Sequence, residues 1–365
     1  MPNFVAYRPY IMMRKGGVFA KTLFGTTQKA FDSDKMGYTT YYEGQTEQLN
    51  ARKIKFLPPD CKLEANLALT TFLDQTFVLA PFFKKMEIPF VFNLYAGGSF
   101  GLGNGQSDYM LRDIFANEYF RKVIVNNEVV RDYLVTNNFC PANKIEYVFG
   151  VPIQFEKTEL SQFKKRCFPR NKSTFDICFV AFRYDSIGKS KGYDLFVEAG
   201  KMLLKDHLLE GNEKIQLHVI GNYDASVINV KDIQTNITFH GVRPAKWLKE
   251  FYHDMDIVVA PNRRDIFYPG SFDGYPMCPE QSLCGVAMFQ SDELNINRDF
   301  TYYKEDEVVH IELDAEDIKS KIEYYFKNTE KLYELAEKGK RRTNKLFDLE
   351  KRSNKIKKIL LEAKR

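Results

Sequence analysis

Four short apolar runs, "DICFVAF" (176–182), "IQLHVIG" (215–221), "NITFHG" (236–241) and "DIVVAP" (256–261), alternate with segments of helical spacing such as "GYDLFVEAGKMLLKDH" and "PAKWLKEFYHDM". Continuous apolarity, rather than alternation, is the pattern of a strand buried on both faces. A strand that regularly gives way to a helix returns parallel to itself, so the chain is constrained to a parallel sheet covered by helices. The helix "PEQSLCG" and the strands "AMFQSD" and "VVHIEL" extend the series before the terminal helices.

The same alternation runs through the N-terminal part. Strands are expected at "FVAY" (4–7), "TTYY" (39–42), "TFVLA" (76–80), "PFVFNLY" (89–95), "KVIVNN" (122–127) and "KIEYVFG" (144–150). Helical spacing places Met110, Ile114 and Phe115 on one helix and Val129, Val130 and Leu134 on another. The charged stretch 155–174 has no sustained period and reads as a linker. At 365 residues the chain exceeds one ordinary core and fits two α/β domains.

In the tail, Leu349, Ile356, Ile359 and Leu360 share one side and basic residues fill the rest. This reads as a surface helix with a solvated face, and a membrane-binding helix is the less frequent alternative.

Composition excludes several classes. Hydrophobic residues at 44% and charged residues at 28% are globular values, which argues against disorder and fibrous architectures. A net charge of +5 suits an anionic ligand and is too small for electrostatic binding of duplex nucleic acid, so no nucleic-acid partner is expected. No apolar run is long enough for a membrane span, and a cytoplasmic protein is expected, with peripheral contact at the inner face of the membrane left open. The six cysteines show no CxxC pair and read as reduced thiols.

In open parallel sheets, ligands gather beyond the carboxyl ends of the strands. Two segments fall there. "VAFRYDSIGKSKGYDLFVEAG" carries Arg183, Lys189 and Lys191, a fork and two point charges suited to a diphosphate. "SFDGYPMCPEQSLCGVAMFQSD" (271–292) places Asp273 and Gly274 ahead of a helix that begins near Pro279, where backbone N–H groups favour a phosphate. Glu280, in the first turn, suits two neighbouring hydroxyls as on a ribose. Read without a ligand, the same segment is a helix-capping loop with acids at a helix N-terminus, and each cation is a solvated surface charge.

"VAFR…KGYDLFVEA", "LHVIGN", "ITFHGVRPAKWLKEFYHDMDIVVAPN" and "DGYPMCPEQSLCGVAMFQSD" occur in the order seen in the nucleotide-binding half of the retaining glycosyltransferases of family four, and residues 176–350 resemble that half. "VAYRPYIMMRKGGVFAKTLF", with Gly16 and Gly17, is similar to the family's first strand and Gly-Gly loop, and "GVPIQF" resembles the entry to its linker.

The resemblance implies a GT-B fold: two Rossmann-like α/β domains facing a central cleft, with a C-terminal helix crossing back. The corresponding boundaries are 1–165 for an acceptor-side domain, 166–347 for a nucleotide-sugar-binding domain and 348–365 for the returning helix. It further implies transfer of a sugar, with retention, from a nucleotide diphosphate sugar to a hydroxyl of a saccharide or lipid-linked saccharide, as in surface polysaccharide or glycoconjugate synthesis.

By the same resemblance, Glu280 holds the ribose, Asp273 lies near the donor sugar, and Arg183 and Lys191 bind the diphosphate with Lys189 as competitor. Gly17 approaches the diphosphate from the first domain. Gly274, Tyr275, Pro276 and Met277 complete the donor-binding segment.

Three departures stand out. Six residues separate Asp273 from Glu280, where the family has two Glu separated by seven, and the Arg-to-Lys interval is longer than usual. Where many members carry a His, Asn93 and Tyr95 stand, followed by five Gly between 97 and 105 that begin with Gly97 and Gly98. This loop suits sugar or acceptor contact, or a simple turn.

No metal cofactor is expected. The one Asp-x-Asp near the site, Asp254 and Asp256, precedes its strand and so lies at the wrong end of the sheet, and His218 and His240 read as satisfied core residues. A catalytically silent GT-B carbohydrate-binding or scaffold protein and a GT-B nucleotide-sugar epimerase are the alternatives.

Overall fold

The computed structural model describes residues 9–14, 22–27, 51–54, 67–95, 97–150, 164–206, 208–264, 275–297 and 302–363. Two compact units divide the chain, one formed by Met1–Pro152 with Asp348–Arg365 and the other by Ile153–Phe347. Elements below are numbered among the described residues. The expected strands at 4–7 and 39–42 lie outside them.

The first unit is built on a seven-stranded sheet of order β3-β1-β2-β4-β5-β6-β7. Its strands are β1 (Pro9–Arg14), β2 (Thr22–Thr27), β3 (Ala51–Ile54), β4 (Leu67–Thr71), β5 (Phe90–Leu94), β6 (Phe120–Val125) and β7 (Ile145–Tyr147). From β2 to β7 the neighbours are parallel, whereas β1 runs antiparallel to both β2 and β3.

"TFVLA" is not a strand. It lies in helix α1 (Leu73–Lys85), whose buried Leu73, Thr76, Leu79, Ala80 and Phe83 recur at helical spacing. The strand precedes it as "LALTT". Five apolar or small residues in a row fit either period, and the longer stripe through Phe83 decides for the helix.

Helices α2 (Gly105–Ala116) and α3 (Glu128–Thr136) follow β5 and β6, each capped by an Asn side chain, Asn104 and Asn127. One sheet face is aromatic, with Phe83 against Phe90 at 5.2 Å and Phe115 against Phe120 at 4.9 Å. The other is covered by the last helix, α9 (Leu349–Ala363), whose Ile356, Ile359, Leu360 and Ala363 share a core with Leu67, Leu69, Val91, Ile124 and Val148. Glu350, Lys351, Lys355, Lys357 and Lys358 remain exposed, but Arg352 is buried and donates to the carbonyls of Val148 and Phe149 at 3.2 and 3.1 Å.

The second unit carries β8 (Phe175–Val180), β9 (Ile215–Ile220), β10 (Ile237–Gly241), β11 (Ile257–Ala260), β12 (Ala287–Gln290) and β13 (Val309–His310). They form one sheet of order β10-β9-β8-β11-β12-β13, and every neighbouring pair is parallel. Counted within the unit this is 3-2-1-4-5-6, the doubly wound order in which strand succession reverses between the first and fourth strands. Helices α4 (Tyr193–Lys205), α5 (Ala245–Tyr252), α6 (Pro279–Leu283), α7 (Ala315–Lys327) and α8 (Thr329–Leu346) complete it.

Residues 164–174, read as part of the linker, belong to this unit. Phe168 joins its core and the Lys172 side chain is 7% exposed. The sequence signal was polar because these contacts are ionic. At the amino ends of β8 and β11, Lys172 bridges Asp176 at 2.8 Å and Asp256 at 2.6 Å, and the Tyr333 hydroxyl donates to Asp256 at 2.7 Å.

His218 Nε2 lies 2.9 Å from Asp176 and its Nδ1 lies 3.0 Å from His240 Nε2, so both histidines have partners. Burial would raise the Asp176 carboxyl, but His218 and Lys172 hold it down at about 2, whereas burial lowers His240 to about 4. Among the described residues no helix is long and apolar enough to cross a membrane.

Candidate functional site

The strand order reverses between β8 and β11, and the loops leaving their carboxyl ends flank the crevice where such sheets bind ligands. The loop after β8 holds Arg183, Lys189 and Lys191, and the segment after β11 holds Asn262, Arg263 and Arg264.

The first loop is shaped by one carboxylate. Asp185 accepts the N–H groups of Ile187, Lys189 and Ser190 at 3.1, 2.9 and 2.9 Å, and the Ser190 hydroxyl at 2.8 Å. Burial opposes ionisation of Asp185, but these bonds win and hold it below the usual carboxylate range. A 3₁₀ turn over Lys189–Lys191 ends at Gly192, which has φ 73°. A Cβ there would stand 2.1 Å from the Pro261 carbonyl oxygen, so only glycine lets the loop meet the neighbouring strand's exit.

Arg183 is fixed at its backbone, whose N–H donates to Asn222 Oδ1 at 2.6 Å, and its Nη1 donates to the Ser186 carbonyl at 2.7 Å. The Lys191 ammonium lies 5.7 Å from the Tyr184 ring centre. Lys189 is exposed.

Glu280 sits half-buried in the first turn of α6. That helix begins at Pro279, as expected, but it has only five residues and Pro279 has no N–H, so it offers a phosphate fewer donors than the sequence reading implies. Its side chains anchor it: Gln281 donates to the Tyr252 hydroxyl at 3.0 Å, and the Ser282 and Thr343 hydroxyls are 2.7 Å apart.

Buried Cys278 reports on the surroundings. Burial, aided by the charge of Glu280 and opposed by that of Lys191, pushes its thiol up to about 12. Tyr275 is buried, its hydroxyl accepting from Gln290 at 2.8 Å; Pro276 is buried and Met277 half-buried. Asp273, Gly274 and Gly17 lie outside the described residues.

In the first unit, Asn93 is buried and donates weakly to the Thr71 hydroxyl at 3.3 Å, while its Oδ1 finds no protein partner among the described residues. The Tyr95 hydroxyl accepts from Arg352 of α9. Gly98 has a reason internal to the protein, since a Cβ there would fall 2.3 Å from Phe72 Cβ. Gly97, at φ 102°, makes the turn that precedes it.

Arg263, just past the end of β11, is engaged within the protein. It forms a fork with Asp194 at 2.6 and 2.9 Å and spends Nη1 on the Lys189 carbonyl at 2.7 Å as well. Asp254 pairs with Arg166, and Asp256 with Lys172, so the Asp-x-Asp pair is committed to ion pairs at the opposite end of the sheet.

Residues 169–342 match the family described as glycosyl transferases group 1. The matched span lies within the second unit and covers most of it. A search of curated proteins by sequence found none that matches.

Among solved structures, the sucrose-phosphate synthase of Thermosynechococcus elongatus aligns with a TM-score of 0.60 at 17% identity, over 82% of this chain and 73% of that one. Anabaena HepE, solved with UDP, gives 0.58 at 13% identity over 81% and 78%. A glycosyltransferase of Rickettsia africae gives 0.58 at 16% over 82% and 77%. The likeness establishes the GT-B fold. Within the matched residues, the loop after β8 and the first turn of α6 are the parts that bear the candidate donor residues.

Proposed function

We propose that the protein transfers a sugar from a nucleotide diphosphate sugar to a hydroxyl of a saccharide or lipid-linked saccharide, with retention of configuration. The observation that carries this reading is a cation-bearing loop, closed by Asp185, at the carboxyl end of β8 beside the switch point of a doubly wound sheet, within the residues that match glycosyl transferases group 1.

Negative charge develops on the departing diphosphate, and cations fixed before the reaction stabilise it without reorganising. Lys191 and Arg183 are the groups for that task, with Glu280 on the ribose and Asp273 toward the sugar. The departing phosphate oxygen accepts the acceptor's proton, so no protein base is required. No divalent metal takes part.

The test is hydrolysis of UDP-, GDP-, ADP- and dTDP-sugars without acceptor. One donor should be turned over, and turnover should persist in excess EDTA. A silent protein hydrolyses none of the four. Loss in EDTA that magnesium restores overturns the metal-free assignment.

The two acids separate by their ligands. Glu280→Gln should weaken free nucleotide by about tenfold to a hundredfold, the worth of a charge-assisted hydrogen bond. Asp273→Asn should spare free nucleotide and depress turnover. Equal effects of both changes on nucleotide affinity, measured by calorimetry, would remove this division of roles.

A further inference from the structure

We infer that Arg263 is a positioning residue, one that fixes the loop presenting Lys189 and Lys191 to the diphosphate; the inference rests on the donor site proposed above. Arg263 leaves β11 and reaches across the switch point to the loop after β8. Its N–H donates to the Ser190 carbonyl at 3.0 Å, its Nη1 to the Lys189 carbonyl at 2.7 Å, and its guanidinium forks onto Asp194 in the first turn of α4. All four of these hydrogen bonds reach main chain or helix within three residues of Lys191. Both terminal nitrogens are committed, which leaves Arg263 to act through the loop.

Arg263 is itself held from the other side. The Ser291 hydroxyl, just past β12, donates to the Asn262 carbonyl at 2.7 Å, and the Ser291 N–H donates to that of Ala260 at 3.3 Å. The carboxyl ends of β12, β11 and β8 are thereby joined in one chain of hydrogen bonds that ends at the cation loop.

Asp185 closes the loop from within and Gly192 lets it approach Pro261. Three cations, Arg183, Lys189 and Lys191, occupy nine residues here. Neighbouring ammonium groups repel one another, and a loop free to move would spread them apart. A rigid fork between Arg263 and Asp194 opposes that spread, which lysine cannot do in two directions at once. A cation loop set before ligand arrives loses less on binding and keeps its charges aimed at the leaving group.

The test is a double-mutant cycle. Whichever of UDP, GDP, ADP and dTDP raises the melting temperature most serves as probe, and its affinity is measured by calorimetry. Arg263→Ala should weaken the probe about tenfold to a hundredfold, the scale of a misplaced binding group. In a background of Lys189→Ala with Lys191→Ala, the same change should cost nothing further.

Equal weakening in both backgrounds means that Arg263 acts directly or globally, and overturns the inference. So does a lowered melting temperature with probe affinity unchanged. If Arg263→Ala does not fold, Arg263→Lys carries the cycle, with a smaller loss expected in the wild-type background and none in the other. If the two lysine changes leave probe affinity intact, or no nucleotide binds, the donor-site reading itself fails and the inference falls with it.

Discussion

Lys191→Ala is expected to lower donor turnover by about a hundredfold to a thousandfold, the cost of removing one group preset to stabilise charge in a transition state. Stability should change little. The side chain leaves the loop at the sheet's carboxyl edge and its ammonium rests over Tyr184, an interaction worth about 0.5 to 1 kcal/mol at such a site. Arg183→Ala should cost less, because its Nη1 already donates to the Ser186 carbonyl, which leaves fewer of its five N–H groups for a phosphate. Steady-state hydrolysis of the preferred nucleotide sugar, with a melting curve for each variant, separates chemistry from folding. Turnover close to wild type in both variants removes the diphosphate clamp.

Much of the second unit was legible in the sequence. Strands buried on both faces read as apolar runs, and the four runs from 176 to 261 are the strands β8 to β11. The first unit was less legible. "TFVLA" suits a strand by composition and became a helix because Leu73, Leu79 and Phe83 supply a stripe that no five-residue window contains.

At the site, the cations were visible as residue types, but their supports were not. Asp185 has a local signature, an acid three residues before a glycine that turns. The Arg263–Asp194 fork joins residues 69 positions apart, and no short-range pattern encodes it. Arg352 is harder still. It sits in a helix rich in solvated lysines, and only the fold shows that it alone turns inward to the carbonyls of Val148 and Phe149 and the hydroxyl of Tyr95.

The largest stability change is expected at the opposite end of the second sheet, from Lys172→Met. Lys172 sits between two carboxylates, and Asp256 is fully buried. Removing the ammonium leaves Asp176 and Asp256 facing each other with one cation fewer, and breaking a buried pair by deleting one partner costs about 3 to 5 kcal/mol. The pH dependence follows from which state binds the proton. In the wild type, burial already holds the Asp256 carboxyl above its ordinary range despite Lys172, and loss of that cation raises it further. A carboxyl with a folded pKa above its unfolded one binds protons preferentially in the folded state. The deficit of Lys172→Met should therefore shrink as pH falls through that raised value toward the ordinary carboxylate range. Asp176 adds to the same trend: its carboxyl is held at about 2 partly by Lys172, a stabilisation complete above the usual carboxylate pKa and lost as pH falls toward 2, so the share the variant forfeits also disappears in acid. Lys172→Met with Asp256→Asn should recover much of the loss, since it removes the stranded charge. Donor KM should stay at its wild-type value, because a strand rises about 3.3 Å per residue and the network sits roughly 20 Å from Arg183 along β8. Urea denaturation at several pH values checks the first part and donor kinetics the second. A stability within about 0.5 kcal/mol of wild type, the range of an ordinary surface change, would show that Lys172 does not compensate these carboxylates.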